Sequence, residues 1–577
     1  MERFSAAERQ RALERMAQET FDLVIVGGGI NGAGIARAAA LRGYSVALLE
    51  QRDLGSGTSS RSSRLIHGGL RYLEHAEFRL VFESLAERAA LARVARHLVR
   101  PLPFVFPVYE GDRLGLTRAR LGIFLYDLLA LFRNFRRHRG LSPEAVARRL
   151  PQIRRQGLRG ALAYYDYRTD DARLVLENVL AAAAAGAAVA SYTPVLGIDS
   201  GGGTKEIHAR DLVGRRELTV RGRVVICAAG PWTDRVLQIK NPNWRWLEPT
   251  KGVHLVLPRE RLPIDSALVM QHPDDARVVF ALPFCERTVI GTTDTRYAGD
   301  PLRVRTTAND VAYLLGVAAH YFPEARMSED DVIANWAGVR PLLRSDADDP
   351  GAASREHRLK VRDDGVVVIA GGKLTTYRRM ADECVKAAAW ALARAGGPPP
   401  RRAVPAEAGP LPGAEGLQSE AELERLVGRL AGELEDRRVA RQLAHSYGVR
   451  ALELSRMVAG RPELGQPIAP ELPYIWAQVP FAARHELALS LSDVLVRRTQ
   501  VFYRDRDQGL QAAPRAAELM AEELGWDAEQ TRRQLAAYIQ QVARNRRWRA
   551  RGRDARLRAD QSRSPRVTPS AHPATPA

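Results

Sequence analysis

Residues 21–50 read Phe-Asp-Leu-Val-Ile-Val-Gly-Gly-Gly-Ile-Asn-Gly-Ala-Gly-Ile-Ala-Arg-Ala-Ala-Ala-Leu-Arg-Gly-Tyr-Ser-Val-Ala-Leu-Leu-Glu. An apolar run, a glycine turn, an alanine-rich stretch and a second apolar run ending in an acid predict a strand, a turn, a helix and a strand. Gly27, Gly29 and Gly32 carry the GxGxxG spacing. Gly27 allows the tight turn, Gly29 lets backbone approach a pyrophosphate, and Gly32 lets the helix pack close to the sheet. The helix N-terminus, with Gly28, Ile30 and Asn31 beside it, offers N–H groups and partial positive charge to phosphates. Glu50, 18 positions after Gly32 at the end of the second strand, is placed to accept from ribose hydroxyls, with Gln51 following it. The unit predicts dinucleotide binding in an α/β, Rossmann-like domain.

The totals fit a multidomain globular chain: 577 residues, 45% hydrophobic and 27% charged. Cys227, Cys285 and Cys384 are scattered and form no CxxC pair, so neither a disulfide framework nor a metal site is expected. The first residues lack the apolar segment of a secretion signal, and no apolar run is long enough to span a bilayer. The net charge is +19, of which residues 541–577, with ten Arg and two Asp, hold +8. That Ser-, Pro- and Ala-rich end reads as a disordered basic tail, and no nucleic-acid partner is expected. Only six of the 86 basic residues are Lys, so a Lys inside a motif, such as Lys251 or Lys373, is informative.

Residues 1–19 read as a charged helical extension. A loop rich in small donors spans residues 57–73, and residues 78–98 carry an amphipathic helical pattern. Asp170 and Asp171 precede an apolar helical run as N-caps. Short alternating strands at His254–Leu257, Leu268–Gln271, Val278–Leu282 and Thr288–Gly291 predict an antiparallel sheet inserted at about 251–345. The cofactor domain takes the rest of 20–395, in parts at about 20–100, 165–250 and 345–395. Two further strand-to-glycine turns, at Ala228-Ala229-Gly230 and Gly371-Gly372, add backbone approaches suited to a long, buried cofactor. A Pro/Gly-rich linker covers 396–416, a helical domain 417–545, and the tail 546–577.

Together these segments resemble the FAD-dependent, respiratory, membrane-associated glycerol-3-phosphate dehydrogenases. The resemblance rests on Gly-Gly-Gly-Ile-Asn-Gly-Ala-Gly at 27–34, Thr-Ser-Ser at 58–60 and Leu-Ile-His-Gly-Gly-Leu-Arg-Tyr-Leu at 65–73. It extends through Asp-Asp-Ala-Arg-Leu-Val-Leu at 170–176, Gly-Pro-Trp at 230–232 and Ile-Gly-Thr-Thr-Asp at 290–294. Gly-Val-Arg-Pro-Leu at 338–342 and Gly-Gly-Lys-Leu-Thr-Thr-Tyr-Arg at 371–378 complete it. It implies FAD as cofactor and oxidation of sn-glycerol 3-phosphate to dihydroxyacetone phosphate by hydride transfer from C2 to the flavin. By position in the matched motifs, Thr58, Ser59, Ser62, Ser63, Leu65, His67, Gly68, Gly69, Ala229, Gly230, Trp232, Gly372, Leu374 and Thr375 join the cofactor site. Arg340 is assigned to the reacting hydroxyl, His254 to proton acceptance, and Arg71, Arg355 and Lys373 mainly to phosphate, with Tyr72 as a hydroxyl donor. Arg64 stands where the family often carries Lys.

The resemblance also implies a quinone acceptor and a cytoplasmic enzyme lying on the inner face of the membrane; a homodimer is compatible with it. Residues 118–139, with Leu121, Phe124, Leu125, Leu128, Phe132 and Phe135 at helical spacing and Arg at both ends, fit an interfacial helix on anionic lipid. Three rival readings stay open: a soluble glycerol-3-phosphate oxidase reducing oxygen, a flavin amine oxidase, and a noncatalytic flavin-binding protein.

Overall fold

The computed structural model describes residues 4–550 except 71–72, 74–76, 113, 132–133, 202, 239–242, 276, 345–356 and 400–408. Among these residues the chain forms two sheets and a C-terminal block of helices. The first sheet runs His357–Val361, Val367–Gly371, Arg216–Cys227, Thr20–Val26, Val46–Leu49, Ala188–Ala190, with the hairpin Val195–Gly201/Thr204–Asp211 appended to Arg216–Cys227. Its central pairs are parallel, with Val24 between Val225 and Ala47. Phe21–Val26 and Val46–Leu49 are buried throughout, as unbroken apolar strands covered on both faces must be. Helix Ile30–Leu41 packs between Asp171–Ala184 and Tyr377–Arg394. Its small residues permit this: a Cβ on Gly34 would lie 2.8 Å from the Tyr377 ring.

The second sheet contains the expected strands, now bounded Thr250–Pro258, Ala267–Gln271, Val278–Phe284 and Arg287–Gly291, with Ala334–Arg340 beside the first. It also recruits Arg100–Tyr109 and Leu158–Arg168, which lie outside the insertion expected at about 251–345. The sheet is not wholly antiparallel, because Ala267–Leu268 runs parallel to Phe104–Val105. Pro101, Pro103 and Pro107 fall outside that two-residue pairing and stand opposite Tyr167, Tyr165 and Ala161 of Leu158–Arg168.

Two expectations are corrected. The helical pattern read over 118–139 ends at Leu129, after which residues 139–141 join the sheet. The tail does not begin at 541–546: helix Ala528–Arg546 continues the fold, Asn545 and Asn335 exchange hydrogen bonds, and Trp548 is buried in the second sheet's core. An apolar indole and an amide pair anchor these residues despite the surrounding arginines; residues 551–577 lie outside those described. Asp170 caps its helix as expected, accepting from the Arg173 N–H (3.2 Å).

Buried ion pairs join the helical block to the first sheet. Arg173 meets Glu486 (2.5 Å), and Arg450 bridges Glu177 (2.8 Å) and Glu486 (3.1 Å). Asp53 takes both Arg497 and Arg498, the latter bidentate at 2.8 and 2.9 Å. Burial alone would raise the Asp53 carboxyl; the two guanidiniums hold it below the usual range. Asp53→Asn leaves two buried arginines undercompensated, so it should lower stability by about 3–5 kcal/mol, read as a fall in Tm and in denaturation midpoint.

Candidate active site

The first strand ends at Gly27, whose φ of +110° and approach to Ala228, where a Cβ would lie 2.6 Å from the carbonyl oxygen, admit only glycine. A Cβ on Gly32 would lie 1.8 Å from the Gly27 oxygen, so the helix reaches the turn only because that position is bare. Beyond the turn lies a cleft of about 490 Å³. Gly27, Gly29, Ile30 and Asn31 form one wall; Glu50, Gln51, Thr58, Ser59 and Ser62 form another; Ala229, Gly230, Trp232, Gly372, Lys373 and Leu374 close it. The sequence reading thus brings three distant glycine turns to one place. Glu50 is buried and accepts from the N–H groups of Gly28 (2.7 Å) and Arg52 (3.0 Å), with burial raising its pKa. Ser59 accepts from the Ile30 N–H (2.9 Å), and Thr58 donates to the Val339 carbonyl (2.6 Å), tying the cleft to the second sheet.

Other expected cofactor residues act from behind the wall. Gly28 is packed against Glu50, and Gly68 lies under Leu85 and Tyr126, donating its N–H to the Tyr126 oxygen (2.8 Å). Thr375 brackets His67, accepting from its N–H and donating to its carbonyl (both 3.2 Å). Ser62, on the wall itself, donates its N–H and hydroxyl to buried Asp171 (3.1 and 2.7 Å), which was expected only as a cap.

A second cavity, about 620 Å³, opens on the other side of the Ser63–Gly69 segment. Ser63, Leu65, His67 and Gly69 line it together with Thr292, Asp294 and Arg340. Asp294 (3.0 Å), Thr292 Oγ1 (3.0 Å) and the Thr293 carbonyl (3.1 Å) fix the Arg340 guanidinium. Asp294 therefore orients the cation, and the Gly-Thr-Thr-Asp motif was its signal. Arg277 also lines this cavity, donating to the Asp294 carbonyl (2.6 Å); an isolated Arg among 80 gave no signal. His254 lies one layer back. Its Nε2 is 2.8 Å from the Ser63 hydroxyl and its ring stacks on Trp336 at 4.9 Å. Burial, then Arg340 and Arg64, push its pKa well below the ordinary value, so the imidazole is neutral. Lys251 serves the fold, meeting Asp310 at 2.6 Å. Arg64 turns from the cleft to stack on Phe284 and Trp336 and to bond Gln500 (2.7 Å). Arg71, Tyr72 and Arg355 lie outside the described residues.

A parallel sheet with a glycine-walled cleft, joined to a second sheet across a cation-bearing cavity, defines a dinucleotide-dependent oxidoreductase. Residues 22–378 match the family described as FAD dependent oxidoreductase, and residues 405–531 match the C-terminal domain of alpha-glycerophosphate oxidase. A glycerol-3-phosphate dehydrogenase of Synechocystis is 37% identical, covering 93% of this chain and 98% of that one. An alpha-glycerophosphate oxidase of Streptococcus pyogenes is 34% identical, covering 87% and 92%. The crystal structure of a Bacillus halodurans glycerol-3-phosphate dehydrogenase complexed with FAD superposes with a TM-score of 0.77 at 29% identity, covering 94% and 98%. The chain belongs to the family of FAD-dependent glycerol-3-phosphate dehydrogenases and oxidases, and FAD is its cofactor.

The residues present fit that cofactor: the cleft is bare of Cβ atoms at Gly27, Gly29 and Gly372 and begins at a helix N-terminus. Gly32→Ala should yield protein that retains no flavin after gel filtration, measured as loss of visible absorbance per chain.

Proposed function

We propose that this chain oxidises sn-glycerol 3-phosphate to dihydroxyacetone phosphate at the 620 Å³ cavity and passes the electrons to a quinone at an anionic membrane surface. The observation that carries the reading is Arg340, a guanidinium held by Asp294 and Thr292 on the cavity wall. Bound FAD supplies the two-electron acceptor. Arg340 stabilises negative charge developing on the substrate oxygen as its proton leaves, and its fixed geometry means no reorganisation accompanies that charge. Ser63 connects the cavity to His254, to which we assign proton acceptance through the Ser63 hydroxyl; the burial and cations that keep its ring neutral also weaken it as a base. Arg71, Arg355 and Tyr72 are assigned to the phosphate dianion, with Lys373 reaching from the cleft side.

The acceptor reading draws on helix Leu116–Leu129. Leu121, Gly122 and Leu125 line the cavity mouth, and Leu121, Phe124 and Leu128 are 69, 49 and 45% exposed. Arg118, Arg120, Arg136 and Arg137 flank this apolar face. That pattern supports peripheral docking on the cytoplasmic side of the membrane, with the cavity mouth toward the lipid. Among the described residues no helix is long and apolar enough to cross a membrane. A soluble oxidase reducing oxygen is the second reading, favoured by the match of residues 405–531 to the oxidase C-terminal domain.

Anaerobic addition of glycerol 3-phosphate should bleach the bound flavin, whereas glycerol and glycine should not; persistent colour refutes the reading. Arg340→Lys should reduce the bleaching rate roughly 100-fold with flavin still bound. Leu121→Gln/Phe124→Gln/Leu128→Gln should weaken binding to anionic vesicles about tenfold or more. Unchanged vesicle binding, with peroxide formed in preference to reduced quinone analogue, favours the oxidase instead.

A further inference from the structure

A third cavity, about 540 Å³, lies where the helical block meets the second sheet, separated from the 620 Å³ cavity by residues 63–65. Its wall carries seven guanidiniums and two carboxylates. Neither carboxylate is available to balance the rest. Glu286 is taken by Arg504, and Asp170 caps its helix while accepting from Gln500. Arg168 has no ion-pair partner among the described residues, and Arg438 donates only to the carbonyls of Glu471 (3.1 Å) and Pro470 (3.5 Å). Arg437 and Arg441 share Glu424 at 3.6 and 3.7 Å, outside hydrogen-bonding range. Arg100 uses one Nη on Glu420 (2.6 Å); its other Nη is buried and makes no hydrogen bond.

Neutral polar atoms in the same wall also lack hydrogen bonds. Nε2 of His445 and the Thr169 hydroxyl make no hydrogen bond; neither ring nitrogen of wholly buried His97 makes one, although its Nε2 faces Glu177 at 3.9 Å. Buried polar atoms are rarely left without partners, and the unsatisfied Arg100 Nη1, His445 Nε2 and Thr169 hydroxyl on one cavity wall suit a polar ligand. Burial, with Arg100, Arg168 and Arg441 around it, pushes His445 down to about 2: the wall already bears so much positive charge that a further cation is disfavoured. Leu282, Phe284 and Trp336 supply an apolar side.

We propose that this cavity is a second anion site, distinct from the substrate cavity, that binds a small phosphate ester through Arg100, Arg168, Arg438 and Arg441. Planar guanidiniums grip phosphate oxygens in pairs, and the volume suits a metabolite and excludes a macromolecule. The inference does not rest on the identity of the oxidised substrate.

The test is arginine-specific labelling of the FAD-loaded full chain with phenylglyoxal, read peptide by peptide by mass spectrometry. Inorganic phosphate is the probe, and chloride at equal ionic strength is the control. Phosphate should slow labelling of Arg438 and Arg441 about fivefold while exposed Arg429 and Arg533 keep their rates. Arg168→Gln should abolish the protection with the flavin spectrum unchanged. Should that variant not fold, Arg438→Gln, at an exposed position, should weaken protection of Arg441 in its place. Equal rates in phosphate and chloride, or protection that persists in the variants, overturn the proposal. Protection by phosphatidate vesicles but not by inorganic phosphate also overturns it, assigning the phosphate to a lipid.

Discussion

The structure depends on charge cancelled out of contact with water. Asp53 and Asp493 with Arg497 and Arg498 form one neutral set; Glu177 and Glu486 with Arg173 and Arg450 form another, and all eight side chains are nearly or wholly buried. Desolvating these ions is unfavourable, and the sets persist because every member meets an opposite charge and further hydrogen bonds. Tyr192 donates to Asp493 (2.6 Å), and the Gly413 N–H donates to Glu177 (2.7 Å). Such sets tolerate one docking arrangement, since any shift strands a charge.

That arrangement bears directly on the cofactor. Asp53 follows Glu50 on the loop forming one wall of the cleft, and the Gly55 N–H closes back on the Gly28 carbonyl (3.0 Å). The helical block therefore clamps the loop that the flavin must meet. Arg64 reaches the same block through Gln500, while Trp336, between Arg64 and His254, belongs to the second sheet. The three parts of the chain meet within a few residues of the chemistry.

Features encoded by adjacent residues were legible in the sequence. Gly27, Gly29 and Gly32 are read from backbone need alone, and Gly371–Lys373 were placed at the same cleft because a strand must deliver them. What failed to show depended on distant partners. Lys251 looked informative because lysine is scarce, yet its meaning is Asp310, 59 positions away. The basicity of His254 could not be read from its intrinsic pKa, because burial and then Arg340 and Arg64, invisible as its neighbours, lower that value. The strand at 100–109 was hidden by its prolines, and Trp548 by the arginines around it.

The parallel sheet is discontinuous: Thr20–Val26 pairs with Arg216–Cys227, which pairs in turn with Val367–Gly371. The cleft it supports needs Gly27 from the first turn and Leu374 from the last. During synthesis, the ribosome must therefore release everything up to residue 374 before the flavin meets a finished wall. Phe4 waits longer still, since it pairs with Arg484 and Leu487. Cofactor loading therefore waits until about two thirds of the chain has been made.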